Sequence, residues 1–194
     1  MNTPREAIVA DITRPPGIAL SRPPGVASPG SSPRPTIYRG GHPFQARPDT
    51  IRILKERVEG SRAMVAVEFE DTEARPWRYV FGALQQTNGT WNAAGGAGGG
   101  AGWEHQARGP WANFGGWGWP RFLCVGGWVY GESVAQVRLI DARGQIVEDS
   151  VDDGIALLLS NEPIDMPCRI ELRDVSGAVL AVQGWPPEPS CRPR

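Results

Sequence analysis

Between residues 51 and 186 the hydrophobic and polar positions alternate in short runs. In AMVAVEFED, Val65, Val67 and Phe69 alternate with Ala66, Glu68 and Glu70, the two-residue period of a strand with one buried face. WRYVFGAL does the same with Trp77, Tyr79 and Phe81, after the polar turn Asp71-Thr72-Glu73-Ala74-Arg75-Pro76. Asn88-Gly89 predicts a tight hairpin into Thr90-Trp91-Asn92. Upstream, IRILKERVEG fits a helix with Ile51, Leu54 and Val58 on one side, or a strand turning at Glu59-Gly60-Ser61. The alternating runs that follow favour the strand.

From residue 121 the pattern resumes. RFLCVGGWVYG reads as a strand pair, or as one strand bulged at Gly126-Gly127. SVAQVRLID places Ala135, Val137 and Leu139 on one face, and Asp141-Ala142-Arg143-Gly144 turns the chain with glycine where positive φ is wanted. QIVEDSV follows, then a turn at Asp152-Asp153-Gly154, then IALLLS with Ile155, Leu157 and Leu159 inward. PCRIELRD aligns Cys168, Ile170 and Leu172, and a matching turn, Asp174-Val175-Ser176-Gly177, leads into AVLAVQ. Short strands at roughly 8–12-residue spacing with turn signals between them predict an all-β fold, an antiparallel β-sandwich.

Two regions break the alternation. Residues 93–120 hold six glycines between 95 and 102, followed by Trp103, Trp111, Phe114, Trp117 and Trp119. Glycine at that density forfeits strand and helix propensity, so the segment reads as a central loop folding its indoles over a sheet. Ahead of the sandwich, Thr3-Pro4-Arg5-Glu6 is a helix-start signal with capping-box spacing. Ile8, Val9 and Ile12 give the helix a small apolar face before Pro15-Pro16 ends it. About two turns do not hold alone in water, so the segment must dock, on its own body or on a partner.

Next come two octapeptides, TRPPGIAL (13–20) and SRPPGVAS (21–28). With few large apolar residues up to 48, this stretch reads as a disordered polyproline-like arm. A spacer is the favoured reading; a motif for a proline-recognising groove, or a strap on a partner subunit, is the alternative. The organisation expected is therefore an arm (1–48), a sandwich domain (49–186) and a short tail (187–194). Within the domain, sub-sheets at 49–94 and 121–186 could be joined by a Gly/Trp loop at 95–120.

Residues 129–182, VYGESVAQVRLIDARGQIVEDSVDDGIALLLSNEPIDMPCRIELRDVSGAVLAV, follow the order strand, D-x-x-G, strand, D-G, strand. In this they resemble carboxypeptidase-regulatory or transthyretin-like β-sandwich modules. The resemblance implies a noncatalytic structural or binding module of a kind that usually works outside the cytoplasm. It carries over no functional residue.

Composition narrows the chemistry. The formal net charge is −1 over 194 residues. Residues 1–48 carry six arginines against Glu6 and Asp11, a net of +4, which leaves −5 for the remainder. That suits a soluble arm, or one that meets an anionic surface. Lys55 is the single lysine; with so much Gly, Pro and Ala, this reads as the coding bias of a GC-rich bacterial genome. The start has no apolar signal-peptide core, and no stretch approaches the roughly 18 apolar residues of a membrane span. A cytoplasmic location is expected, and no membrane partner.

Cys124, Cys168 and Cys191 are odd in number and lack CxxC spacing. They read as buried thiols, although Cys124 and Cys168 could bridge across a sandwich. GGAGGGAG has phosphate-loop glycine spacing, but Trp-Glu-His-Gln-Ala-Arg-Gly-Pro after it is a poor helix, and no GK[ST] occurs. His42 lies in the arm, so a hydrolase would have to use His105, and no nucleophile elbow accompanies it. Glu148, Asp149, Asp152 and Asp153 crowd one hairpin without the rhythm of a calcium loop, and read as a solvated edge. No cofactor, metal site or catalytic residue is expected. Only Arg108 and Arg121 flank the tryptophans, too little charge to recruit single-stranded nucleic acid.

The function these features favour is noncatalytic protein binding or assembly. Trp103, Trp111, Phe114, Trp117 and Trp119 would form the binding surface, with Ile8, Val9 and Ile12 as a docking arm for a protein partner or a second copy. A carbohydrate- or small-ligand-binding sandwich using exposed tryptophans is the alternative.

Overall fold

The computed structural model describes residues 2–16, 18–20, 37–39, 42–100, 109–118 and 122–186. A helix, α1 (Pro4–Ile12), precedes two three-residue strands, β1 (Ile18–Leu20) and β2 (Ile37–Arg39), which pair with each other. Then follow β3 (Arg52–Glu59), β4 (Arg62–Glu70), β5 (Pro76–Gln85) and β6 (Trp91–Gly100). The rest of the chain adds β7 (Trp111–Trp117), β8 (Leu123–Tyr130), β9 (Gln136–Ile140), β10 (Ile146–Ser150), β11 (Ile155–Ser160), β12 (Cys168–Arg173) and β13 (Val179–Trp185).

Strands β3 to β13 form three antiparallel sheets: the meander β3-β4-β5-β6, a central sheet β11-β8-β7, and an outer sheet β10-β9-β12-β13. They stack in that order. Met64, Ala66 and Val80 of the meander meet Cys124, Ile155, Leu157 and Leu159 of the central sheet. The other face of the central sheet packs Leu123, Val125, Ala156 and Leu158 against Val137, Leu139, Ile170 and Leu172 of the outer sheet. The central sheet is thus buried on both sides, and β11 has no exposed residue. Strand β4 is also covered on both faces, because Val65, Val67 and Phe69 join a third cluster with α1. Its alternation in the sequence suggests one buried face, but alanine and methionine fill the second.

The turns explain why successive strands run in opposite directions. Asp141 and Asp174 each accept two backbone N–H groups, from residues two and four positions on, while their own N–H bonds the carbonyl at the fourth. Gly144 and Gly177 take positive φ there. Asp71 builds the same turn with Ala74 in the glycine's place, at φ 58°. At the β10–β11 hairpin, Asp153 and Gly154 both adopt positive φ, as a two-residue hairpin requires.

The Gly/Trp loop expected over 95–120 is corrected. Residues up to Gly100 continue β6, and 111–117 form β7. The reason lies in the neighbouring strand: the rings of Phe81 and Tyr79 lean across β6 so closely that a Cβ on Gly96 would fall 2.8 Å from Phe81 and 2.9 Å from Tyr79. Only glycine lets the strand pass beneath those rings. A Cβ on Gly115 would likewise clash with that of Ala97, so β7 also approaches β6 closely. The stretch 101–108 lies outside the described residues.

Both ends of the arm pack on the body. The capping box of α1 is formed: Thr3 Oγ1 accepts the Glu6 N–H at 3.2 Å, and a Glu6 carboxylate oxygen accepts the Thr3 N–H at 2.7 Å. Ile8 and Ile12 are fully buried in one cluster with Ala63, Ala83 and Trp91 of the chain's own meander. Ala63, Ala83 and Ala93 stand side by side across β4, β5 and β6, and their small side chains leave room for a helix. The apolar face read as a docking arm is therefore consumed within the chain, with Val9 half-buried beside it. Residues 42–46 lie on the same face, where Phe44 and Ala46 are buried. The expectation of disorder for 21–36 falls on residues outside those described.

Candidate functional site

Three sheets have six edges, and each edge strand presents unpaired N–H and C=O groups that invite another strand. Side chains occupy several of them. On β11, the Asp149 carboxylate accepts the Leu157 N–H at 2.7 Å. Arg57 donates to the Leu157 carbonyl at 3.1 Å and to that of Glu148 at 2.7 Å. Lys55 donates to the Ser150 and Ile155 carbonyls at 2.5 and 3.3 Å, and pairs with Asp149 and Asp152, each at 2.7 Å. On β7, the Gln183 amide clasps Ala112, donating to its carbonyl at 2.9 Å and accepting its N–H at 3.1 Å. Asn2 does the same to Trp91 on β6, at 2.9 and 2.8 Å. The edges β3 and β10 carry their own charges, Arg52, Lys55, Glu56, Arg57 and Glu59 on one, Glu148 and Asp149 on the other.

Strand β13 differs. Its sequence VLAVQGW has no charge. Ala181 and Trp185 face the core, but Val179, Leu180 and Val182 are 47%, 36% and 59% exposed, and Val175 at the preceding turn is 93% exposed. Among the described residues the large exposed apolar side chains number six, the others being Val58 and Ile146. Four of them thus fall on one hairpin. The neighbouring β12 turns Arg169, Glu171 and Arg173 outward, and Glu171 binds both arginines, at 3.3 and 2.6 Å. Arg138 pairs with Glu148 at 2.8 Å farther along. The arrangement is an apolar edge flanked by a row of ion-paired side chains, which can add a strand or cover an apolar face.

Reactive groups elsewhere are committed to the fold. Cys124 and Cys168 are free and buried, and burial pushes their thiols up to about 12 and about 11. The disulfide considered between them is not formed: Cys124 lies between the meander and the central sheet, Cys168 between the central and outer sheets. Asp71 is 1% exposed. Burial opposes its ionisation, yet hydrogen bonds from the Arg75 and Glu73 backbone, the Trp77 indole and the Arg75 guanidinium hold it down to about 2. Asp141 resists burial in the same way, through three backbone N–H groups. Hydrogen bonds from Lys55 and Ser150 hold Asp152 low. Among the described residues no group of three or more His, Cys, Asp or Glu side chains could hold a metal ion, and no helix is long and apolar enough to cross a membrane.

Of the aromatic residues read as one surface, Trp111 and Phe114 do not share a face. Trp111 is half-buried and stacks on Tyr130, with centroids 5.3 Å apart. Phe114 lies on the opposite face of β7, buried in the core with Leu123 and Val125, because positions three apart on a strand point to opposite faces. Trp117 closes β7. Trp103, Trp119 and His105 lie outside the described residues. Of the other tryptophans, Trp77, Trp91, Trp128 and Trp185 all pack into the clusters. The sequence reading missed the β13 edge: AVLAVQ is apolar at successive positions, but only the layer order shows which face stays open.

Comparison with protein-family models, with curated proteins and with solved structures finds no match.

Proposed function

We propose that this chain is a noncatalytic assembly module that joins a second copy of itself through β13. The observation that carries the reading is the concentration of exposed apolar side chains on one uncharged segment, Val175 to Val182. Both arginines on the adjacent β12 already bind Glu171, which leaves one unit of positive charge beside the edge. What selects is an apolar alternating edge, and β13 itself supplies the matching pattern. Two β13 strands meeting antiparallel about a two-fold axis would lengthen the outer sheet and cover Leu180 and Val182 on both sides. The noncatalytic class agrees with what the resemblance of residues 129–182 implies. The ligand-groove reading has less support, since Phe114 is core and Trp111 is stacked on Tyr130.

Sedimentation over a wide concentration range tests it, comparing the chain with a Leu180→Lys, Val182→Lys double variant. The wild type is expected to dimerise and the variant to stay monomeric at unchanged unfolding temperature. A wild type that remains monomeric throughout contradicts the proposal.

A further inference from the structure

The strongest feature that this function leaves unused is His42. Its ring is almost wholly enclosed, with 9% of the side chain exposed. It stacks on Phe44 at 4.3 Å between centroids and 9° between planes, and meets the Phe81 ring edge-on at 6.2 Å. Nδ1 lies 2.8 Å from the Phe44 carbonyl. Nε2 lies 3.2 Å from the Asp11 carbonyl and 3.6 Å from its carboxylate. Both nitrogens therefore face acceptors and neither faces a donor. A neutral imidazole has one N–H and can satisfy one side; the imidazolium satisfies both. The site also lies in the last turn of α1, whose C-terminal end favours a cation.

The contact joins two segments that lie side by side on the meander. Asp11 belongs to α1, and residues 42–46 form the strip beside it over Phe69, Trp77, Tyr79 and Phe81. Two further bonds cross the same seam, from the Ala46 N–H to the Ile12 carbonyl at 2.8 Å and from the Gln45 amide to the Thr13 carbonyl at 3.0 Å. We propose that His42 is a pH-operated latch: protonated, it clamps the end of α1 to residues 42–46 on the meander, and its deprotonation loosens both from the aromatic face beneath.

The charges around it agree. From α1 the ring meets Asp11, which Arg14 approaches to 3.7 Å from its far side. From β5 it meets Phe81, with the Tyr79 ring beyond Phe44 and its hydroxyl kept neutral by burial. Burial alone would lower the His42 pKa, but the hydrogen bonds to Asp11 and Phe44 carry it above the ordinary histidine value of about 6.5. The same hydrogen bond lowers the Asp11 pKa. A raised folded-state pKa fixes the direction: the clamp is at full strength below about pH 6.5 and is lost as pH rises through the folded value.

The test is an NMR titration of the His42 ring in the full-length chain, with His105→Gln to assign the two histidines. It is paired with amide-exchange protection factors for Ala7 to Ile12 and Ala46 on both sides of the midpoint. Expected are a midpoint above about 6.5, a fall in protection of about tenfold per pH unit of displacement as the ring deprotonates, and flat protection in His42→Phe. Asp11→Asn keeps the size of the side chain and should move the midpoint down toward the ordinary value, which tests the latch even if His42→Phe folds poorly. A His42 midpoint at or below about 6.5, or wild-type protection independent of pH, overturns the proposal.

Discussion

Strands β11 and β13 have nearly the same sequence character and opposite fates. IALLLS and VLAVQGW are both uncharged and both apolar at successive positions, as strands buried on two faces tend to be. The first is such a strand: the meander covers Ile155, Leu157 and Leu159, the outer sheet covers Ala156 and Leu158, and Lys55, Arg57 and Asp149 close its free edge. The second has one covered face and one open face, and no charge of its own guards its edge. A strand with the composition of an interior is left at a margin, and the proposed self-association falls there.

The comparison can be broken first at β11. Leu158→Ala leaves a cavity between two sheets and should cost about 2–5 kcal/mol in denaturant unfolding. Lys55→Met tests the closed edge. It removes one of the two cations beside Asp149, whose side chain is 13% exposed, and leaves Arg57 at 3.4 Å, so it should cost about 1–2 kcal/mol. It should also speed exchange of the Leu157 amide. Lys55→Arg should not rescue it, because one compact ammonium meets four acceptors.

Acid sharpens the picture at a turn. Asp71 is held near 2 in the folded chain, below its unfolded value of about 3.9. Its contribution is full above about pH 3.9 and is lost as pH falls through about 2. Asp71→Asn should therefore cost about 2 kcal/mol at neutral pH and flatten the acid limb of a stability-against-pH curve. Ala74→Gly works in the opposite direction. It relieves a non-glycine residue at φ 58° and should raise stability by about 0.5–1 kcal/mol. The smallest effect belongs to β13, where Val182→Ala should change stability by no more than about 0.5 kcal/mol while weakening self-association.

Much of this fold is legible in the sequence because alternation and turn chemistry are local. Val137 and Leu139, Ile170 and Leu172, and the Asp-x-x-Gly turns declare themselves within a few residues. Asp71 makes the same turn, but Ala74 hides it by standing where glycine is expected. The glycine strand is illegible for a different reason. Propensity assesses β6 by itself, whereas the rings that crowd Gly96 and Gly98 belong to β5. Nothing near Asn2, Gln183 or His42 in sequence announces that they reach Trp91, Ala112 and Asp11. The candidate site suffers most, because β11 and β13 become distinguishable only when the layers are counted.

Amide exchange at β13 measured at low and high protein concentration tests the central claim most directly. The account predicts that protection of residues 180–184 rises with concentration in the wild type and does not rise in the Leu180→Lys, Val182→Lys variant, while β11 stays protected in both. Protection at β13 that is the same at every concentration would contradict it.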